Sequence, residues 1–189
     1  DCPGGTGGAP HDRFARKSPH FRHSLAALDA ELPRSEDRRW VAELLETGTF
    51  AQGSVSLKLF VGRAEDTIEW LEGGFDAVFL DPFSPDRNGE LWTPQFLAAV
   101  RRRSASGAIL STYSSASRVR IALLRAGWRI GMGSRVGRKS NGTLASKGEV
   151  APPLAPLHPR VLGRLERRAS EADSEDDPGA PRHSVAPRM

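Results

Sequence analysis

The stretch 75–94, FDAVFLDPFSPDRNGELWTP, joins a short, mostly apolar segment to an abrupt polar ending. Asp81 closes the apolar segment and is followed by a loop that contains two prolines. The length of the segment and the turn residues after it predict a buried strand of an α/β sheet. Ligands of open α/β sheets bind at the carboxyl ends of the strands, so Asp81 is a candidate functional residue. The alternative is an ordinary turn residue, since Asp is common before Pro at strand ends.

The segments around this stretch alternate between helical and strand-like patterns, which indicates a parallel sheet with helices on its faces. Leucines at 25, 28 and 32 predict one helix, and Ser35 and Gly48 are plausible limits of the next. The connection between the last two strands spans only about eight residues, too few for a helical crossover, so these two strands are expected to form an antiparallel hairpin. Strands are predicted at 54–62, 76–81 (buried on both faces), 107–113, 128–133 and 142–146, with helices at 24–32, 35–48, 64–74, 93–103 and 115–127.

The chain of 189 residues is long enough for one ordinary domain with flanking segments. We expect a loose N-terminal segment at 1–22, a folded domain at 23–150 and a disordered tail at 151–189, within which a short helix is conceivable at 160–168. The sequence contains no run of apolar residues long enough for a membrane span, which predicts a cytoplasmic protein. Cys2 is the only cysteine, and the histidines lie in a polar lead-in (His11, His20 and His23) and in the tail (His158 and His183), so no metal site is expected.

Charge is distributed unevenly along the chain. Residues 91–148 contain no Asp or Glu but eleven Lys or Arg residues. Such a one-signed stretch favours a surface that binds a polyanion such as nucleic acid. The alternative is a solvated, arginine-rich surface without a ligand.

Three stretches, at 75–100, 106–130 and 136–146, carry a combination of short motifs. Together they resemble the MnmC-like methyltransferases, the methyl-transferring part of the bifunctional tRNA 5-methylaminomethyl-2-thiouridine biosynthesis protein and its stand-alone relatives. The matching positions are Asp81, Phe83, Pro85, Asn88, Trp92, Thr93, Thr112, Tyr113, Ser114, Gly137, Arg138 and Lys139.

The resemblance implies a class I, Rossmann-like methyltransferase sheet that uses S-adenosylmethionine to methylate the aminomethyl group of the tRNA wobble uridine. Asp81 is then the expected catalytic residue, because a carboxylate can orient an amine and favour the charge that develops on nitrogen. The resemblance also implies tRNA as the partner. It suggests substrate contacts from Phe83, Pro85, Trp92, Tyr113, Arg138 and Lys139. For Trp92, packing under the loop is the favoured alternative; for Tyr113, a cap on the sheet is an equal one.

One part of the class I pattern has no clear counterpart in this sequence. The acidic-x-Gly-x-Gly-x-Gly turn that approaches the cofactor is missing, and PGGTGGAP at 3–10 does not follow a strand. Near the third strand of the family, Gly62, Glu65 and Asp66 are the candidate cofactor contacts, although acids at a helix start also favour the helix dipole. We therefore expect an N-terminally incomplete member whose binding of S-adenosylmethionine is an open question.

Two other functions remain open from the sequence. One is a catalytically inactive, basic RNA-binding module of the same fold, and the other is a small-molecule methyltransferase. A flavin-binding half is not expected in this chain, since no second glycine-rich fingerprint follows the domain. Any oxidase step would then require a separate flavin-dependent oxidoreductase.

Overall fold

The computed structural model describes residues 35–133 and 141–175, which divide into two compact units between Thr67 and Ile68. The predicted loose segment 1–22, the predicted helix 24–32 and residues 176–189 lie outside the described residues. No helix in the described part of the chain is long and apolar enough to cross a membrane. The cytoplasmic location stays a prediction.

The first unit consists of a helix, a β-hairpin and one further helical turn. Its elements are α1 (Ser35–Thr47), β1 (Thr49–Gln52), β2 (Val55–Lys58) and α2 (Ala64–Thr67). The helix α1 ends as the sequence predicts, because Gly48 has a φ of 82° and its N–H donates to the carbonyl of Leu44 at 2.8 Å.

The strand predicted at 54–62 is shorter than expected and lies in a different kind of sheet. β2 pairs antiparallel with β1, a strand that the sequence analysis did not predict. Only two residues connect the strands, and Gly53 has a φ of 57°, which glycine adopts without strain. A connection this short permits only an antiparallel pair, so the assignment of 54–62 to a parallel sheet was wrong.

The second unit contains a four-stranded mixed sheet with the order β3-β4-β6-β5. Its strands are β3 (Phe75–Phe79), β4 (Ser104–Thr112), β5 (Arg129–Met132) and β6 (Thr143–Ser146). The pair β3 and β4 is parallel, with Val78 opposite Leu110, whereas β6 is antiparallel to both of its neighbours. The predicted antiparallel hairpin of the last two strands is confirmed, with Ile130 opposite Ala145.

Helices α3 (Pro94–Arg103) and α4 (Ser117–Arg125) accompany this sheet. The predicted start of α3 is confirmed, because Thr93 Oγ1 accepts a hydrogen bond from the Phe96 N–H at 3.2 Å and Pro94 occupies the first turn. Large side chains that are almost completely buried form the core of the unit. They are Leu97, Leu110, Val119, Leu123 and Trp128.

The strand β3 is more exposed than its apolar sequence indicates. Phe75 is 43% exposed and Phe79 is 85% exposed, so the prediction that this strand is buried on both faces was wrong. The reason is its position at the end of the strand order, where it pairs with β4 on one side only among the described residues.

The tail that the sequence analysis expected to be disordered contains a long helix. Helix α5 (Pro159–Glu175) packs against α4, and Leu165 and Ala169 on it are 1% and 7% exposed. The preceding segment contacts the sheet, since the Met132 N–H donates to the carbonyl of Ala155 at 2.7 Å. The prediction of disorder was therefore wrong for 151–175. A narrow apolar stripe is enough to order a helix that docks on an existing domain, and overall composition does not reveal such a stripe. The domain boundary at 150 stays a prediction.

Candidate functional site

Asp81 lies at the edge of the sheet where β3 and β4 both end. The Leu80 N–H donates to the Ser111 carbonyl at 2.9 Å, which extends the parallel ladder one residue beyond β3. Asp81 follows and is exposed, while Tyr113 follows the end of β4. Parallel strands bring their carboxyl ends to the same edge, so the two side chains lie in the region where α/β sheets bind ligands.

An open cavity of about 480 Å³ lies at this edge. It brings together three of the predicted site residues, Asp81, Phe83 and Tyr113, with Asn88, a fourth position of the family pattern. The full lining consists of Asp81, Pro82, Phe83, Ser84, Asn88, Leu91 and Tyr113. Pro82, Ser84 and Leu91 were not among the residues predicted from the sequence. Their position becomes evident only when the loop turns back, with the N–H groups of Arg87 and Asn88 donating to the Ser84 carbonyl.

Two aromatic side chains hold the loop after Asp81 in place. The Tyr113 hydroxyl donates to the Pro82 carbonyl at 3.0 Å, and the Trp92 Nε1–H donates to the Phe83 carbonyl, also at 3.0 Å. The two rings meet edge to face, with centroids 6.5 Å apart and an interplanar angle of 84°. Phe83 itself is 69% exposed. The loop backbone is therefore anchored while the Phe83 ring is available for contact.

The predicted substrate contacts differ in their positions. Trp92 is 5% exposed and is absent from the cavity lining, which agrees with packing under the loop. Tyr113 is half-exposed, it lines the cavity, and its hydroxyl anchors the loop. Pro85 is half-buried and is absent from the lining, and Arg138 and Lys139 lie outside the described residues. The roles of these residues in substrate binding stay predictions.

A buried network fixes the end of β4 next to Tyr113. Thr143 Oγ1 donates to the Ser114 carbonyl at 2.7 Å, and Arg120 Nε donates to Thr143 Oγ1 at 2.9 Å. Burial lowers the pKa of the Arg120 guanidinium. Arg120 was grouped with the basic surface residues in the sequence analysis, but in the structure it connects α4 to the ends of two strands.

The candidate cofactor contacts Gly62, Glu65 and Asp66 lie in the first unit. Glu65 forms an ion pair with Arg63 at 2.7 Å, and the hydrogen bond from the Arg63 guanidinium lowers the Glu65 pKa. Both acids lie in the first turn of α2, as expected for residues that favour the helix dipole. A cofactor contact needs an acidic acceptor that is not already occupied by an ion pair, so exposed Asp66 fits this requirement better than Glu65.

Ion pairs offset part of the basic surface that the sequence analysis expected. Arg102 and Arg103 both pair with Glu69, at 3.1 and 2.9 Å. Arg118 and Arg129 pair with acids that precede and follow the one-signed stretch, Asp86 at 2.8 Å and Glu149 at 3.4 Å. The tertiary structure thus brings carboxylates to arginines that have no acidic neighbours in the sequence.

Two features outside this edge of the sheet are weaker candidates for a functional site. A cavity of about 660 Å³ in the first unit, lined by residues of α1 and the β1–β2 hairpin, has no strand-end carboxylate. Among the described residues, no group of three or more His, Cys, Asp or Glu side chains is arranged to hold a metal ion. The expected absence of a metal stays a prediction.

Comparison with known proteins agrees with this geometry. Residues 31–148 match the model of a family described as S-adenosyl-L-methionine-dependent methyltransferase. A tRNA 5-methylaminomethyl-2-thiouridine biosynthesis bifunctional protein MnmC from Ralstonia nicotianae is 36% identical over 165 residues, which cover 82% of this chain and 25% of that protein. The protein of the same name from Cupriavidus necator is 33% identical, covering 82% of this chain and 26% of that protein.

A solved structure is similar to this chain in its fold. The crystal structure of MNMC2 from Aquifex aeolicus matches with a TM-score of 0.56 and 36% identity, covering 71% of this chain and 43% of that one. The chain spans about a quarter of the length of the curated relatives named above. These matches confirm the resemblance to MnmC-like methyltransferases and the Rossmann-like α/β fold. Since the family match covers well over half of the sequence, the chain belongs to the S-adenosyl-L-methionine-dependent methyltransferase family.

Proposed function

We propose that this chain transfers a methyl group from S-adenosylmethionine to the amine of 5-aminomethyl-2-thiouridine at the wobble position of tRNA. The observation that carries the proposal is the cavity at the ends of β3 and β4, where Asp81, Phe83 and Tyr113 lie together. The name of the relatives refers to 5-methylaminomethyl-2-thiouridine in tRNA. Its methylamino group is the product expected from methylation of an aminomethyl group.

Asp81 is the residue that acts on the amine in this proposal. S-adenosylmethionine, when bound, supplies a methyl group on a positively charged sulfur. The reacting amine must be neutral, and its lone pair must be held in line with that methyl group. The Asp81 carboxylate can accept hydrogen bonds from the amine N–H groups, which orients the lone pair, and its negative charge favours the positive charge that develops on nitrogen.

The aromatic residues around Asp81 suit an unstacked base. Phe83 is 69% exposed beside the cavity, and a uracil turned out of its stack can lie against this ring. Tyr113 and Trp92 support the contact indirectly, because their hydrogen bonds to the carbonyls of Pro82 and Phe83 hold the loop. An anchored loop loses less conformational entropy when the base binds.

The remaining predicted contacts belong to the same proposal. Asp66 is the residue we assign to the adenine of the cofactor. Gly62 is nearby in sequence, and Glu65 is held by Arg63. Arg138 and Lys139 are assigned to tRNA phosphates, as the resemblance implies. An oxidative step on the same nucleoside, if one occurs, is assigned to a separate flavin-dependent protein.

One observation supports a second candidate function, a catalytically inactive RNA-binding module. Of the two acids considered for the cofactor, Glu65 already has a partner in Arg63, and no glycine-rich turn of the expected form occurs in 35–133 or 141–175. Calorimetric titration of the full chain with S-adenosylmethionine separates the two functions. Heat of binding at micromolar cofactor supports the methyltransferase, whereas no heat at millimolar cofactor supports the inactive module.

The catalytic role of Asp81 is tested by methyl transfer from radiolabelled S-adenosylmethionine to tRNA that carries 5-aminomethyl-2-thiouridine. Asp81→Asn should reduce kcat by about 10² to 10⁴, the usual contribution of a side chain that assists at the reacting group, while the Kd for tRNA stays within about twofold. Asp86→Asn is the matched control, because Asp86 lies in the same loop but pairs with exposed Arg118. Equal losses in the two variants would contradict the role of Asp81.

A further inference from the structure

Helix α5 carries its exposed arginines and its buried apolar residues on different faces. With about 100° of rotation per residue, Arg160, Arg164 and Arg168 fall within about 80° of one another. All three are exposed, whereas Leu165 and Ala169, about 100° and about 140° round the helix from Arg164, are buried. We propose that Arg160, Arg164 and Arg168, called here the arginine stripe, form a docking surface for the phosphate backbone of the RNA substrate. This inference rests on the proposed tRNA substrate and adds a binding surface outside the family match, which ends at residue 148.

The stripe differs in its pairing from several other arginines in the described part of the chain. Among the described residues, no ion pair involves Arg160, Arg164 or Arg168, although Arg102 and Arg129 both have a carboxylate partner. Arg167, on the same helix, pairs with Glu171 at 3.9 Å and lies at the edge of the stripe. A cation without a carboxylate partner can bind a phosphate without first giving up an ion pair, and the release of counterions from the nucleic acid then supplies much of the affinity.

The dimensions of the stripe suit a polyanionic chain. Successive arginines are four residues apart, about 6 Å along the helix axis, so the stripe is about 12 Å long. Each guanidinium presents planar donors that match the oxygens of a phosphate. The stripe is also fixed in place, because burial of Leu165 and Ala169 holds the opposite face of the helix on the domain.

The surroundings favour RNA over a membrane as the partner. A helix that binds a membrane surface needs an apolar face that can enter the lipid. In α5 the apolar face is covered by the domain, and the residues outside that face, such as Gly163 and Glu166, are small or polar. Binding through the stripe is therefore electrostatic and should depend on salt as contacts to phosphate do.

The test compares RNA binding by the full chain and two triple variants over a range of salt concentrations. The probe is an unmodified tRNA transcript, and binding is measured by fluorescence anisotropy. The stripe variant is Arg160→Gln, Arg164→Gln and Arg168→Gln. The matched control removes three arginines that already have carboxylate partners, Arg102→Gln, Arg118→Gln and Arg129→Gln.

The stripe variant should reduce the slope of log K against log salt by about 2 to 3, since each lost phosphate contact removes about 0.7 to 0.9. Its Kd at about 0.1 M salt should rise at least tenfold, and the control slope should change by less than about 1. A charge-preserving variant with lysine at the three stripe positions should keep the salt slope of the unchanged chain, because the slope depends on the number of phosphates neutralised. Circular dichroism of each variant verifies that α5 is retained.

The outcomes separate this inference from the proposed function. Equal slopes in the stripe variant and the unchanged chain would overturn the docking surface, and so would equal losses in the stripe and control variants. Tighter binding of the unchanged chain to vesicles of anionic lipid than to tRNA would also overturn it. Methyl transfer by the unchanged chain in any of these cases would leave the proposed function intact. A chain that binds tRNA through the stripe but transfers no methyl group would support the docking surface and reject the proposed activity.

Discussion

The packing of helix α5 can be tested by two substitutions whose effects on stability have opposite signs. Leu165 is 1% exposed, and Leu→Ala changes at buried positions cost about 2 to 5 kcal/mol. Because α5 lies on the outside of its unit and can settle into the vacated space, we expect about 2 to 3 kcal/mol, the lower part of that range. Gly163→Ala should instead stabilise the protein by about 0.5 to 1 kcal/mol. Nothing lies within 4 Å of the added methyl group, and the position is inside the helix.

Urea denaturation provides the measurement, followed by circular dichroism and by tryptophan fluorescence, to which Trp128, 2% exposed, contributes. The two variants should shift the free energy of unfolding in opposite directions at an unchanged m-value. In thermal melts, the lower stability of Leu165→Ala corresponds to a decrease in Tm of about 4 to 12 °C for a chain of this size. If both variants unfold like the unchanged protein, the helix does not pack on the domain, and our correction of the predicted disorder is refuted.

Three further predictions concern single contacts. Trp92→Phe removes the donor to the Phe83 carbonyl, so we expect a loss of about 1 to 3 kcal/mol in urea denaturation, together with a lower kcat from the loosened loop. Gly142→Ala would bring a methyl group to 2.5 Å from a carbonyl oxygen of β4, and the forced backbone shift should destabilise the protein by about 1 to 3 kcal/mol in the same assay. Arg63→Gln should raise the Glu65 pKa towards its ordinary value in an NMR titration. Because the pKa of Glu65 is lower in the folded state, its carboxylate stabilises the fold at pH values above the pKa of the unfolded chain. This stability is lost as the pH falls through the folded-state pKa, and Arg63→Gln should remove this pH dependence.

Several elements of the fold were predictable because their signals are local. The start of α3 depends on the hydroxyl of Thr93 and the fixed φ of Pro94, and both act within one turn of the chain. The hairpin of β5 and β6 follows from a connection too short for any other arrangement. The position of Asp81 beside Tyr113 follows from two strands that run parallel and end at the same edge.

Other features depend on distant contacts and were predicted wrongly or not at all. The exposure of Phe79 reflects the place of β3 in the strand order, which its own sequence does not encode. The helix α5 is ordered by contacts with α4, and a count of apolar residues in the tail underestimates a narrow buried stripe. The basic surface is reduced because Glu69, from another part of the chain, reaches Arg102 and Arg103.

The candidate site shows the same division between sequence and tertiary structure. The amino-acid sequence alone determined the family, the strand that precedes Asp81 and the aromatic residues near it, since these are properties of contiguous segments. Only the tertiary structure decided that Phe83 stays exposed while Trp92 is buried beneath the loop and Tyr113 anchors it. The physical reason is that burial and hydrogen bonding depend on which surfaces pack together when the strands pair. Residues that are far apart in the sequence form these contacts.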